Sequence, residues 1–150
     1  MATHTIDLKR TAKAQWSGDL QSGEGRIALG SGLLSAPYSF RSRMQDGAGT
    51  NPEELIGAAH AGCFTMAFDA MLGAAGFTPT ALETTATVHF TQTDGGFSIP
   101  RIDLQVTGRV PNIDEANFQK IAAEAKANCP VSKALAGVEI TLDAKLATGS

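Results

Sequence analysis

The chain has little cysteine, with two in 150 residues, a single tryptophan and a single tyrosine, and it nowhere gathers lysine and arginine into a cluster. The shortage of cysteine excludes a disulfide-stapled scaffold, and a domain of this length buries a core without staples. With a formal net charge of −3 and no basic patch, the electrostatic footprint of a nucleic-acid binder is missing. The opening stretch MATHTIDLKRTAKAQW puts polar residues where a secretory leader needs an apolar core. No segment reads as long and apolar enough to cross a bilayer. The expectation is a single cytoplasmic domain over 1–150, with neither nucleic acid nor membrane as a partner. In a reducing cytosol a lasting disulfide is uncommon, so any pairing of the two thiols would be catalytic or redox-sensing.

What is present is a mixed pattern. Residues 1–46 carry short apolar runs, such as Gly25-Arg26-Ile27-Ala28-Leu29, punctuated by Ser22-Gly23, Gly30-Ser31-Gly32 and Pro37. This reads as a β-meander, followed by a flexible connection over Gln45-Asp46-Gly47-Ala48-Gly49. A helix opens at Asn51, with Pro52 at its first position and Glu53 and Glu54 in its first turn, and runs nearly uncharged to Leu72 before Gly73 and Gly76 end it. Thr84 to Thr93 forms a strand, Asp94-Gly95-Gly96 turns, and Arg101 to Val110 alternates Ile102, Leu104 and Val106 against Asp103, Gln105 and Thr107. Asn112 or Asp114 caps a second helix with a stripe of Phe118, Ile121, Ala122 and Ala125, broken at Asn128-Cys129-Pro130. Val138, Ile140 and Leu142 mark a last strand. The order βββ-α-ββ-α-β is α+β. The first helix is apolar on most sides and needs cover that so short a chain does not supply, which predicts an obligate homodimer.

A cysteine reacts as thiolate, and its ordinary pKa must fall for that at neutral pH. Cys63 lies inside the first helix, where backbone N–H groups are already committed, so a cation must activate it. Glu53, ten residues earlier, stands ~15 Å along a straight helix and cannot touch it. Cys129 differs, because Pro130 can start a short helical turn that sets the sulfur near free N–H groups. Singly, each residue has a bland reading: Cys63 a small buried hydrophobe, Cys129 a helix end, Glu53 a first-turn acid, Arg43 a solvated charge. His60, three before Cys63, has the spacing of half a metal site with His89 and Cys129 to complete it, but no CxxC or HxxxH accompanies it. It reads as packing or hydrogen-bonding within the helices. The glycines at 23, 25, 30 and 32 lack the Gly-Lys-Ser/Thr of a phosphate loop and read as turns.

Taken together, Asn51-Pro52-Glu53-Glu54-Leu55-Ile56-Gly57-Ala58-Ala59-His60-Ala61-Gly62-Cys63-Phe64 and Asn128-Cys129-Pro130-Val131-Ser132 resemble the osmotically inducible protein C (OsmC) branch of the OsmC/Ohr hydroperoxide reductases. The likeness extends to Gln15-Trp16-Ser17-Gly18-Asp19, Pro37-Tyr38-Ser39-Phe40 and Gly76-Phe77-Thr78-Pro79-Thr80. It implies an OsmC-like fold with a long buried central helix, an intertwined dimer with sites at the subunit interface, and a thiol peroxidase free of metal and haem and without a cofactor. By motif, Cys63 becomes the peroxidatic thiol, Cys129 the resolving thiol and Glu53 the carboxylate that orients an arginine. That arginine is Arg43, in the stretch Arg41-Ser42-Arg43-Met44 that matches the family's arginine-bearing loop, with Arg41 its competitor.

On that resemblance, Cys63 attacks an alkyl or lipid hydroperoxide, an alcohol leaves, and Cys129 condenses with the sulfenic acid to a disulfide. An external dithiol, for which the family suggests a lipoyl protein, reopens it. Phe64, Met66 and Phe68 near Cys63 suit an organic peroxide, although they read first as core. Two other classes stand beside this: a thiol redox sensor, and an apolar-ligand-binding protein without turnover.

Overall fold

The computed structural model describes residues 5–147, so that the first four residues of the stretch searched for a leader lie outside it. The chain forms two compact units, one ending at Pro52 and one beginning at Glu53. In the first, β1 (Ala12–Ser17), β2 (Glu24–Leu29) and β3 (Ser35–Tyr38) form an antiparallel meander, as the turn signals predict. Trp16 and Tyr38 meet edge to face at 5.4 Å. Gly25 permits this, since a Cβ there would stand 2.5 Å from Tyr38 and 2.6 Å from Trp16.

The arginine-bearing stretch is a helix rather than a loop. Phe40–Met44 forms α1, closed by a reciprocal capping box in which the Ser42 amide donates to Ser39 Oγ (3.0 Å) and the Ser39 amide donates to Ser42 Oγ (2.9 Å). The following segment is tied back: Ser42 Oγ donates to Thr50 O at 2.7 Å, and the Thr50 amide to Pro37 O at 2.9 Å.

The second unit is built around α2 (Pro52–Ala74), which begins at the expected proline. Its end is a Schellman motif: Phe77 N–H donates to Leu72 O, Gly76 N–H donates to Gly73 O, and Gly76 takes the left-handed φ of 93° that the motif requires. Then come β4 (Ala81–Val88), a small hairpin of β5 (Thr91–Thr93) and β6 (Gly96–Ser98), and β7 (Arg101–Arg109). The strand expected over 84–93 is therefore divided. Its ladder to β7 ends at Val88–Ile102 and His89 N–H to Arg101 O; beyond that the Pro100 carbonyl turns away and accepts from the Glu139 amide.

A crossover through α3 (Glu115–Asn128) and α4 (Pro130–Ala134) brings β8 (Glu139–Leu146) parallel to β7, in a sheet of order β4-β7-β8. Asp114, not Asn112, caps α3, its carboxylate accepting from the Asn117 amide at 2.8 Å. Asn112 instead sits in the left-handed region at φ 72°.

The core joins the predicted stripes. Ile102, Leu104 and Val106 of β7 pack with Phe118, Ile121, Ala122 and Ala125 of α3 and with Phe64, Phe68 and Leu72 of α2. Within this chain α2 is buried along one stripe, Glu53, Gly57, His60, Phe64, Phe68 and Leu72, and not on most sides. The unit supplies one three-stranded sheet, a small hairpin and one other long helix, and the face bearing Ala58, Ala59, Gly62 and Ala70 is exposed, with Met66 76% exposed. Met66 is thus no part of this core. By length and apolarity alone α2 passes as a membrane-spanning helix, against the expectation that no segment does. Its stripe packed in the unit's core is what a core helix shows.

Candidate active site

Cys63 and Cys129, both expected site residues, come together. Cys63 projects from the middle of α2, and Cys129 stands at the junction of α3 and α4, where it ends one helix and starts the next. Its amide donates to Ala125 O at 2.9 Å, and its carbonyl accepts the first bond of α4 from the Lys133 amide at 3.1 Å. Pro130 occupies the first turn of α4, where its missing N–H costs nothing. The two thiols are free and hydrogen-bond one another; Cys129 is fully buried and Cys63 half-buried.

Their surroundings push the two sulfurs in opposite directions. Burial, chiefly, raises the Cys63 thiol above the ordinary 9.0, and donating to Cys129 raises it further, while the Val131 amide draws it back only in part. Burial also works against the Cys129 thiolate, but the Cys63 thiol, the Ser132 amide and hydroxyl and the Val131 amide together outweigh it and bring Cys129 below 9.0. Although Cys129 forms no short side-chain cap of the kind an oxygen makes, its sulfur faces these donors at the start of α4. Within this unit Cys129 is the easier of the two to ionise, and Cys63 is the donor.

A buried pair stands behind the sulfurs. His60 Nε2 lies 2.8 Å from Ser132 Oγ, and His60 is wholly inaccessible. Burial lowers the His60 pKa, so the ring is neutral at neutral pH. Its Nδ1 is buried with no hydrogen-bond partner among the described residues. The sequence reading had His60 packing or hydrogen-bonding within the helices, and it hydrogen-bonds. That reading missed Ser132, which falls within the second cysteine motif but was given no role.

Glu53 is buried in the first turn of α2, ten residues before Cys63, as its position in the sequence requires. Arg43 and Arg41 belong to α1 of the other unit, both exposed, with the stem of Arg41 lying against Gly47. His89, the residue considered for completing a metal site, is engaged elsewhere: its Nε2 is 2.7 Å from Asp103 Oδ2 and 3.3 Å from an Arg101 guanidinium nitrogen. Among the described residues no group of three or more His, Cys, Asp or Glu is disposed to hold a metal.

Comparison with known proteins points one way. The model of the OsmC family, OsmC-like protein, matches residues 45–143, a span that takes in Glu53, Cys63 and Cys129 and begins just past Arg43. Over 142 residues the chain is 49% identical to Peroxiredoxin OsmC of Escherichia coli (strain K12), covering 94% of this chain and 99% of that protein. It is 32% identical over 123 residues to the Organic hydroperoxide resistance protein of Xanthomonas axonopodis pv. citri (strain 306), covering 79% and 84% respectively. Among solved structures, the organic hydroperoxide resistance protein OhrB of Bacillus subtilis is similar with a TM-score of 0.72 at 28% identity, over 90% of this chain and 98% of that one.

Proposed function

The chain belongs to the OsmC-like family, and from that premise we propose that it is a cysteine-based peroxidase that reduces organic hydroperoxides to alcohols. The observation that carries the reading is the hydrogen-bonded pair Cys63 and Cys129, free thiols from distant parts of the chain held in contact. A redox couple needs that contact; a packing role does not.

Of the two sulfurs Cys129 gives up its proton more readily, and the proposed cycle moves the thiolate between them. Cys63 alone is held protonated by burial and by its contact with Cys129. A guanidinium beside it reverses this, and we assign that part to Arg43, oriented by two-point contact with Glu53. The Cys63 thiolate then attacks the terminal peroxide oxygen. The S–O bond forms as the O–O bond breaks, and the departing alkoxide takes a proton and leaves as alcohol. Cys63 is now a sulfenic acid, and the Cys129 thiolate, favoured by Ser132 and Val131, attacks its sulfur. The S–S bond forms as hydroxide leaves and is protonated by solvent. A dithiol, such as a lipoyl group, reopens the disulfide by exchange, which presupposes a reducing compartment.

The exposed face of α2, with Ala58, Ala59, Gly62, Ala70 and Met66, supports a homodimer as the active form. The deciding experiment treats reduced protein with about one equivalent of cumene hydroperoxide and maps its peptides without reduction. Peroxide loss with a Cys63–Cys129 link and the loss of two hydrogens is expected. Unchanged thiols beside intact peroxide would return both cysteines to the core.

A further inference from the structure

His60 precedes Cys63 by three residues on α2, and Ser132 follows Cys129 by three on α4. At that spacing, close to one helical turn, each lies on the same side of its helix as the cysteine it accompanies. The 2.8 Å bond between His60 Nε2 and Ser132 Oγ therefore joins the two cysteine-bearing segments one turn from each sulfur. Ser132 also faces the Cys129 sulfur with both its amide and its hydroxyl. A hydroxyl has a single proton. If Ser132 gives it to Cys129, the oxygen accepts from His60, so the ring carries its proton on Nε2 and Nδ1 is left as a bare acceptor. In either tautomer the partnerless nitrogen is Nδ1, so the ring is tied through Nε2 alone. A packing role at a wholly inaccessible position would be served better by leucine or phenylalanine, which bury no polar atom.

We propose that His60 is a positioning residue for closure of the Cys63–Cys129 disulfide: acting through Ser132, it fixes the hydroxyl rotor toward Cys129 and holds the start of α4 against α2. This rests on the reading that the two cysteines turn over as a pair, and adds to it a device for the second step. In that step the Cys129 thiolate loses its donor Cys63, whose sulfur now carries the hydroxyl to be expelled. The Ser132 hydroxyl and the amides of Ser132 and Val131 are the donors left to hold the attacking sulfur ionised and aimed.

The test separates the two steps by rapid mixing of the full-length protein with cumene hydroperoxide. Peroxide loss in a single turnover reads the first step, and acid-quenched alkylation with mass spectrometry reads disulfide closure. Ser132→Ala and His60→Phe should each slow closure by about tenfold, within the range of coupling between hydrogen-bonded neighbours. Sulfenic acid on Cys63 should then accumulate and be trapped by dimedone, while peroxide loss stays within about twofold of the parent rate. The double variant should be no slower than either single one, because both remove the same device. His60→Gln, which keeps a donor at the Nε2 position, and Ser132→Thr, which keeps the hydroxyl, should restore most of the closure rate.

Closure at the parental rate in Ser132→Ala, or losses that multiply in the double variant, overturns the proposal. So does equal slowing of both steps, which would mark a merely structural bond. Should His60→Phe fail to fold by circular dichroism, the pair Ser132→Ala and Ser132→Thr decides alone. A parent protein that consumes no peroxide would instead sink the proposed function itself, an outcome distinct from any pattern among the variants.

Discussion

The two cysteines sit in opposed kinds of helical surroundings. Cys63 lies mid-helix, half-buried, without a free backbone donor of its own helix, and its thiol is held protonated. Cys129 lies at a helix start, fully buried, and its thiolate is favoured by donors that a helix interior would have consumed. Burial alone would have raised both pKa values, so the difference is made by hydrogen-bond donors. The less buried thiol needs help from outside its helix to ionise. The more buried one receives it from the Cys63 thiol and from Ser132 and Val131.

The largest effects should come from erasing one side of this contrast. Cys63→Ser is expected to lose peroxide reduction by about a thousandfold or more, as deletion of a nucleophile does. Cys129→Ser should still consume peroxide once, leaving a stoichiometric sulfenic acid on Cys63 that dithiols recycle poorly. The reverse pattern in a peroxide-consumption assay would exchange the two roles. Next in size, Arg43→Ala should reduce kcat/KM by about a hundredfold, the thiolate fraction lost when an opposite charge worth about two pKa units is removed. Arg41→Ala should stay near the parent. If Arg41→Ala is the damaging change, the arginine has been misassigned by two positions.

How far this was legible in the sequence follows the range of the interactions. Local signals read well: Pro52 and the carboxylates at the start of α2, the alternation of Ile102, Leu104 and Val106, and the helix start offered by Pro130 beside Cys129. Even at short range, α1 escaped, because five residues held by Ser39 and Ser42 show no apolar period, only a reciprocal cap. The break at His89 was hidden for another reason, since the ladder stops where the facing strand begins, at Arg101. Contacts between distant segments left no trace in periodicity. The family motif paired Cys63 with Cys129, but nothing in either stretch paired His60 with Ser132. Apolar composition said that α2 wants cover on most sides, and within this chain one stripe receives it.

A subtler effect should appear in stability against pH. Because Cys129 has a depressed pKa in the folded protein, its thiolate contributes stability that is fully present above the ordinary 9.0 and is lost as pH falls through the folded-state value. For Cys63, held above 9.0 within its unit, the contribution is present below 9.0 and is lost as pH rises through its higher folded value. The two windows adjoin rather than overlap. Urea unfolding of the reduced protein should therefore show the advantage of the parent over Cys129→Ser shrinking as pH drops below 9.0, with no such trend for Cys63→Ser over that interval. A parallel trend in both variants would mean that the sulfurs share one environment.

The smallest effect probes whether the setting of Cys129 is local. Pro130→Ala keeps every side chain that faces the sulfur and removes only the restriction on the backbone at the first position of α4. Freed from it, the unfolded chain gains conformations, and stability should fall by about 0.4–1 kcal/mol in urea denaturation. Peroxide loss in the first step should not change, since Cys63 owes nothing to that turn beyond the Val131 amide. Disulfide closure should slow slightly, because the donors at Ser132 and Val131 are then presented by a turn that forms less readily on its own. If closure is unaffected while stability falls, the packing of α4 in the fold, rather than the proline, holds the donors in place. The contrast between the two thiols would then be tertiary on both sides.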